Sequence, residues 1–138
     1  MSPLKLDKFD PRTRRALQQS LVRITTFKDA IERLRRELAV FPERLEESLR
    51  KNEFLDGALG RELHEKCLVL IERCEGSLPD WQVPYVLAAI DYFLNRNDGS
   101  PDFSALDGFA DDEFVINAVL DAFSIDIENL KNSPKRGA

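Results

Sequence analysis

The chain has 138 residues, 43% of them hydrophobic and 33% charged, with a formal net charge of −5, which is enough to bury one core without disulfide staples and too little for a second independent domain. No run approaches the roughly 18 to 20 apolar residues of a membrane-spanning helix, and the opening "MSPLKLDKFDPRTRR" lacks the apolar centre of a signal peptide, so a cytoplasmic protein is expected. Charge is unevenly spread, with 13 Lys and Arg against 10 acids in residues 1–60 and 7 against 15 in residues 61–138, a bias that points to self-docking, within or between chains, or to a partner with its own charge bias.

Every apolar period along the chain is helical. Pro11 after Asp10 marks a helix start, because proline is tolerated at the first helical position and aspartate caps well. That first helix carries Leu17, Leu21 and Ile24. Thr26 with Asp29 three residues on resembles a capping box, and Phe27, Ile31, Leu34 and Leu38 then recur at spacings of four, three and four. The stripe carries on through Phe41, Leu45 and Leu49, with Pro42 predicting a kink or a break that opens a new helix. Asp29 with Arg33, Glu32 with Arg36, Glu46 with Arg50 and Glu47 with Lys51 are acid-before-base pairs at the spacing that stabilises a solvated helix face.

The segment "NEFLDGALG" reads as a turn or broken helix at Gly57 and Gly60. Leu63, Cys67, Leu70, Ile71 and Cys74 form the next stripe, ended by Gly76, where a left-handed cap favours glycine. After the loop "SLPDW" a helix begins between Asp80 and Pro84 and runs through "YVLAAIDYFL". Being apolar almost all round, it is expected to be the central, most buried helix. Asp91 is the acid there least explained by solvent, and an N-terminal arginine is its expected partner. The last helix is placed from Asp111 and Asp112 onward, with Ile116, Val119, Leu120, Phe123, Ile127 and Leu130 on one face. "NSPKRGA" is a frayed tail.

No stretch alternates as a strand, so the fold class is all-α, a compact bundle of about five to six helices. Residues 1–138 read as a single domain: an N-terminal helical hairpin over 1–55, a helical core over 56–130 and a tail over 131–138. The heptad-like stripe of the hairpin is expected to pack on the core or on a second copy.

Between the last two helices lies "YFLNRNDGSPDFSALDGFADD", with five aspartates. This stretch resembles the YkvA-like family, bacterial domains of unknown function whose hallmark is a helix ending in tyrosine, a Pro-x-Asp turn, an Ile-Pro-Asp-Phe step, a glycine and a paired Asp-Asp. Tyr92, Asp98, Pro101, Asp102, Phe103, Gly108, Asp111 and Asp112 fall where that pattern wants them, and "LPDWQVPYVLAAIDYF" is similar to the family's lead-in helix. The resemblance covers about residues 77–125. Arg96, Ser100 and Ala105 depart from it, standing where the family has proline, isoleucine and a second proline, and make this copy more polar. The resemblance implies a helical fold and assigns no catalytic residue.

The candidate sites divide by chemistry. Asp111 reads as the N-cap of the last helix with Asp112 and Glu113 in its first turn, while Asp98 and Asp102 read as turn acids. The rival reading has Asp98, Asp102, Asp111 and Asp112 converging on a hard divalent cation, as a metal-assisted hydrolase would need, although their spacing fits no EF-hand. His64, Cys67 and Cys74 do not make a zinc set: the cysteines lie about 10 Å apart along one helix, too far for one ion or for a disulfide. Buried reduced thiols are expected. With one histidine and neither a nucleophile elbow nor a phosphate loop, triad chemistry and nucleotide binding have no support. Arg12, Arg14, Arg15 and Arg23 form the best basic patch, a partner-binding candidate. A nucleic-acid accessory role on these arginines is disfavoured by a pI near 5.0. The sequence therefore reads as a non-enzymatic protein-interaction module without a cofactor, working on a protein partner or on itself.

Overall fold

A computed structural model describes residues 9–22, 24, 26–51, 56–76, 78–96 and 108–128, with 95, 96, 108, 110 and 111 described in backbone only. Among these residues the chain forms five α-helices and no strand: α1 (Pro11–Leu21), α2 (Phe27–Lys51), α3 (Gly57–Arg73), α4 (Val83–Arg96) and α5 (Gly108–Ala122). The all-α expectation holds. No helix is long and apolar enough to cross a membrane among the described residues.

Local chemistry sets the helix ends. Asp10 is the N-cap of α1 and Pro11 its first residue. The Asp10 side chain makes no capping hydrogen bond, yet the Thr13 side chain first, and then backbone amides of the first turn, hold its carboxyl below the usual value. Thr26 Oγ1 accepts the Asp29 amide at 3.2 Å, which is half of the expected capping box. Asp56 Oδ1 accepts the Leu59 amide at 3.0 Å and caps α3. The segment expected to be a turn or broken helix therefore has both glycines inside α3. After α3 the chain turns through Gly76 at φ 122°, a conformation that favours glycine. α5 closes in a Schellman motif: the Ile125 amide bonds the Leu120 carbonyl at 2.8 Å and the Ser124 amide bonds that of Asp121 at 3.2 Å. Ser124 occupies its left-handed position at φ 55°. The last stripe consequently stops at Ala122, with Phe123 and Ile127 packed beyond it and Leu130 outside the described residues.

Two further expectations are corrected. Pro42 neither breaks α2 nor opens a new helix, since α2 runs through it to Lys51. The hairpin is α2 with α3 rather than α1 with α2. Arg35 reaches Glu75 at 2.7 Å and Glu72 at 3.6 Å near one end of that pair, and Glu46 meets Arg61 at 2.8 Å near the other, so the two helices run antiparallel. Meanwhile α1 packs on α4 and α5.

The core gathers around α4. Tyr85 to Asp91, Phe93 and Leu94 are all buried, and α4 packs against α1, α2, α3 and α5. Two aromatic clusters sit toward its two ends. At the start, Tyr85 meets Phe9 and Phe123 with centroids 6.0 and 5.2 Å away, and Trp81 packs edge-on against Phe123 at 5.2 Å. Toward the end, Phe93 packs on Phe41 at 4.8 Å and on Phe109 at 6.2 Å. The α2 stripe faces this core through Ile31, Leu34, Leu38, Phe41 and Leu45. The described residues before α3 thus help build the common core.

Gly60 is the point of closest approach between α3 and the start of α5. A Cβ there would stand 2.9 and 3.0 Å from two atoms of the buried Phe109 ring. Alanine is otherwise the better helix former by about 1 kcal/mol, but overpacking a fixed ring costs about 1–3 kcal/mol. Gly60→Ala is expected to lower the urea midpoint. Gly57→Ala, whose Cβ meets the movable end of Leu49, is expected to leave it unchanged or raise it.

Candidate functional site

The aspartate-rich stretch divides in the structure. Asp98 and Asp102 lie outside the described residues. α5 is already helical at Gly108, ahead of the paired aspartates, and Phe109 packs on Phe41 and Phe93. Asp111 is therefore the fourth residue of α5 and not its N-cap, and only its backbone is described. Asp112 is fully buried rather than standing in a solvated first turn. Its charge reaches Cys67 on α3. Among the described residues, no group of three or more His, Cys, Asp or Glu side chains could hold a metal ion.

Two of the N-terminal arginines make contacts within the molecule. Arg12 lies 5.3 Å from the centroid of the Phe114 ring on α5, a cation–π contact between the first and last helices. Arg14 Nη2 donates to the Phe9 carbonyl at 3.0 Å. Arg15 is exposed, and Arg23 lies outside the described residues.

Asp91, singled out as the acid least explained by solvent, is 1% exposed and accepts from Arg33 Nη2 at 3.1 Å. The same guanidinium holds Glu37 Oε2 through Nη1 at 2.9 Å. A buried carboxylate needs a charged, hydrogen-bonding partner, and a forked guanidinium can serve two acids at once. Arg33 therefore turns from the Asp29 expected at i−4 toward Glu37 and the core. The expected N-terminal arginine is Arg33; the sequence does not single it out among the others, because its spacing to Asp29 already gives it an ordinary surface role. The signal available was the lone acid within "YVLAAIDYFL".

His64 meets the α2–α3 seam. Its ring stacks on Phe41 with centroids 5.1 Å apart and planes 13° from parallel, and Nε2 lies 2.7 Å from the Leu38 carbonyl oxygen. Cys67 and Cys74 are free and buried. Burial first, then the Asp112 charge, pushes the Cys67 thiol well above its ordinary range, against an opposing pull from Lys66. Burial first, then Glu75, pushes Cys74 up to about 12, with Arg35 opposing. Neutral thiols of this kind are poor nucleophiles and metal ligands.

No protein-family model, curated protein or solved structure matches the chain. The YkvA-like resemblance stays with the residues that carry it, of which 97–107 lie outside the described set.

The Cys74 thiol ionises near 9.0 ordinarily and near 12 here. A group raised on folding keeps its contribution to stability below the unfolded value and loses it as pH climbs toward the folded one. Urea midpoints measured at about pH 8 and about pH 10.5 should therefore fall more for the native chain than for Cys74→Ala. Equal falls would contradict the burial of this thiol.

Proposed function

We propose that the chain is a non-enzymatic helical module that binds another protein, with a YkvA-like segment over residues 77–125. The carrying observation is that the apolar stripe of α2 runs past the edge of the core. Ile31, Leu34 and Leu38 are at most 5% exposed, whereas Phe27, the first member of the same stripe, is 43% exposed. Val22, five residues earlier at the C-cap of α1, is 80% exposed. Val22 and Phe27, exposed on either side of the α1–α2 junction in the sequence, are side chains of the kind found at the centre of an interface, where aromatic anchors carry much of the affinity. Lys28 beside Phe27 and the acidic balance of the C-terminal half supply charges that set partner choice and encounter rate.

Among the charged groups closest to the core, Arg33 holds both Asp91 and Glu37, an arrangement that fastens α2 to α4.

The test compares the full chain with the double variant Val22→Ser/Phe27→Ser. Exposed substitutions of this kind change stability by about 0.5 kcal/mol or less, so melting temperatures should agree. Cross-linked pull-downs from native lysate should recover a partner with the native chain and lose it with the variant, and sedimentation of the purified chain would show whether that partner is a second copy. Equal recovery by both chains would refute this surface as the binding site.

A further inference from the structure

We infer that His64 replaces the backbone donor that Pro42 lacks, so that α3 completes the hydrogen bonding of α2. In an α-helix the carbonyl of residue 38 accepts from the amide of residue 42. Proline has no amide hydrogen, and its place inside a helix leaves the carbonyl four residues back without its regular donor. That carbonyl belongs to Leu38, whose side chain is fully buried. His64 Nε2 lies 2.7 Å from its oxygen. A carbonyl oxygen can only accept, so Nε2 carries the proton and donates. The stack of the imidazole on Phe41, itself packed on Phe93 and Phe109, fixes the ring in the orientation the bond requires.

The arrangement explains why α2 continues through Pro42 to Lys51. It also makes the proline-containing turn dependent on a neighbour. When α3 is docked the carbonyl has a donor, and when α3 departs that donor goes with it. The Pro42 turn and the α2–α3 seam form one conformational unit, clamped by one imidazole and flanked by the Arg35–Glu75 and Arg61–Glu46 ion pairs.

Two measurements on the full chain test this. The sequence has one histidine, so long-range ¹⁵N–¹H correlation spectra of the imidazole at neutral pH are unambiguous. The expected result is a proton on Nε2, and a ring protonated on Nδ1 alone would overturn the assignment. The second is a cycle of His64→Phe and Pro42→Ala. Phenylalanine keeps a ring against Phe41 but cannot donate, so His64→Phe should lower the melting temperature by about 4 °C in the Pro42 chain, as expected for leaving one buried carbonyl unpaired in a domain of this size. In the Pro42→Ala chain, where the alanine amide serves the carbonyl, the same substitution should lower it by clearly less. Equal losses in the two backgrounds would overturn the proposal.

Discussion

A helix of 14 residues that is buried around most of its circumference must draw its cover from the rest of a chain this short, and the whole arrangement follows from that demand. Each of the other four helices packs on α4. The apolar surface removed from water there is the largest driving force available to the fold. Asp91 lies within that helix, and its carboxylate would make the packing unfavourable without compensation. Arg33 provides it from α2. The N-terminal part of the chain is thus fastened to the C-terminal part by charge as well as by apolar contact.

The remaining features make close packing around α4 possible. Gly60 lets the Phe109 ring approach α3. The two aromatic clusters close the bundle toward the ends of α4, one built from Phe9 just before α1, Tyr85 of α4 and the segment after α5, the other from α2, α4 and α5. Along the seam of α2 and α3, exposed ion pairs of modest individual value lie on either side of a half-buried imidazole that satisfies a helix carbonyl. Specificity of packing comes from these polar contacts, because apolar burial alone would tolerate several registers of one helix on another.

Much of this was legible in the sequence, for reasons that can be named. The helical periods, the caps at Asp10 and Thr26, the left-handed Gly76 and the burial of "YVLAAIDYFL" depend on local spacing or on composition, and spacing survives into the fold. What was not legible depends on distant partners. Arg33 looked like a surface residue because Asp29 stood four positions before it, and only the fold shows that Asp91 lies within reach. At Pro42 the break did not occur, and the polar group beside the Leu38 carbonyl there comes from a histidine 22 positions further along the sequence than the proline. Asp111 and Asp112 had the composition of a helix start, yet the chain is already helical at Gly108, where Phe109 enters the core. The hairpin was assigned to the first two helices by proximity along the chain, whereas α2 pairs with α3 through Arg35, Glu46 and Arg61.

The central claim, that a charge from α2 makes the burial of α4 possible, is tested most directly by a double-mutant cycle on Arg33 and Asp91, read by urea denaturation. Arg33→Met should lower stability by about 2 kcal/mol, below the range for two fully buried charges because the Arg33 side chain is 35% exposed. In the Asp91→Asn background, where no buried charge is left to strand, the same substitution should change stability by less than about 1 kcal/mol. A coupling of that sign is the predicted result. Strictly additive losses would mean that Asp91 does not depend on Arg33, and that α4 is held in place by something other than the pair.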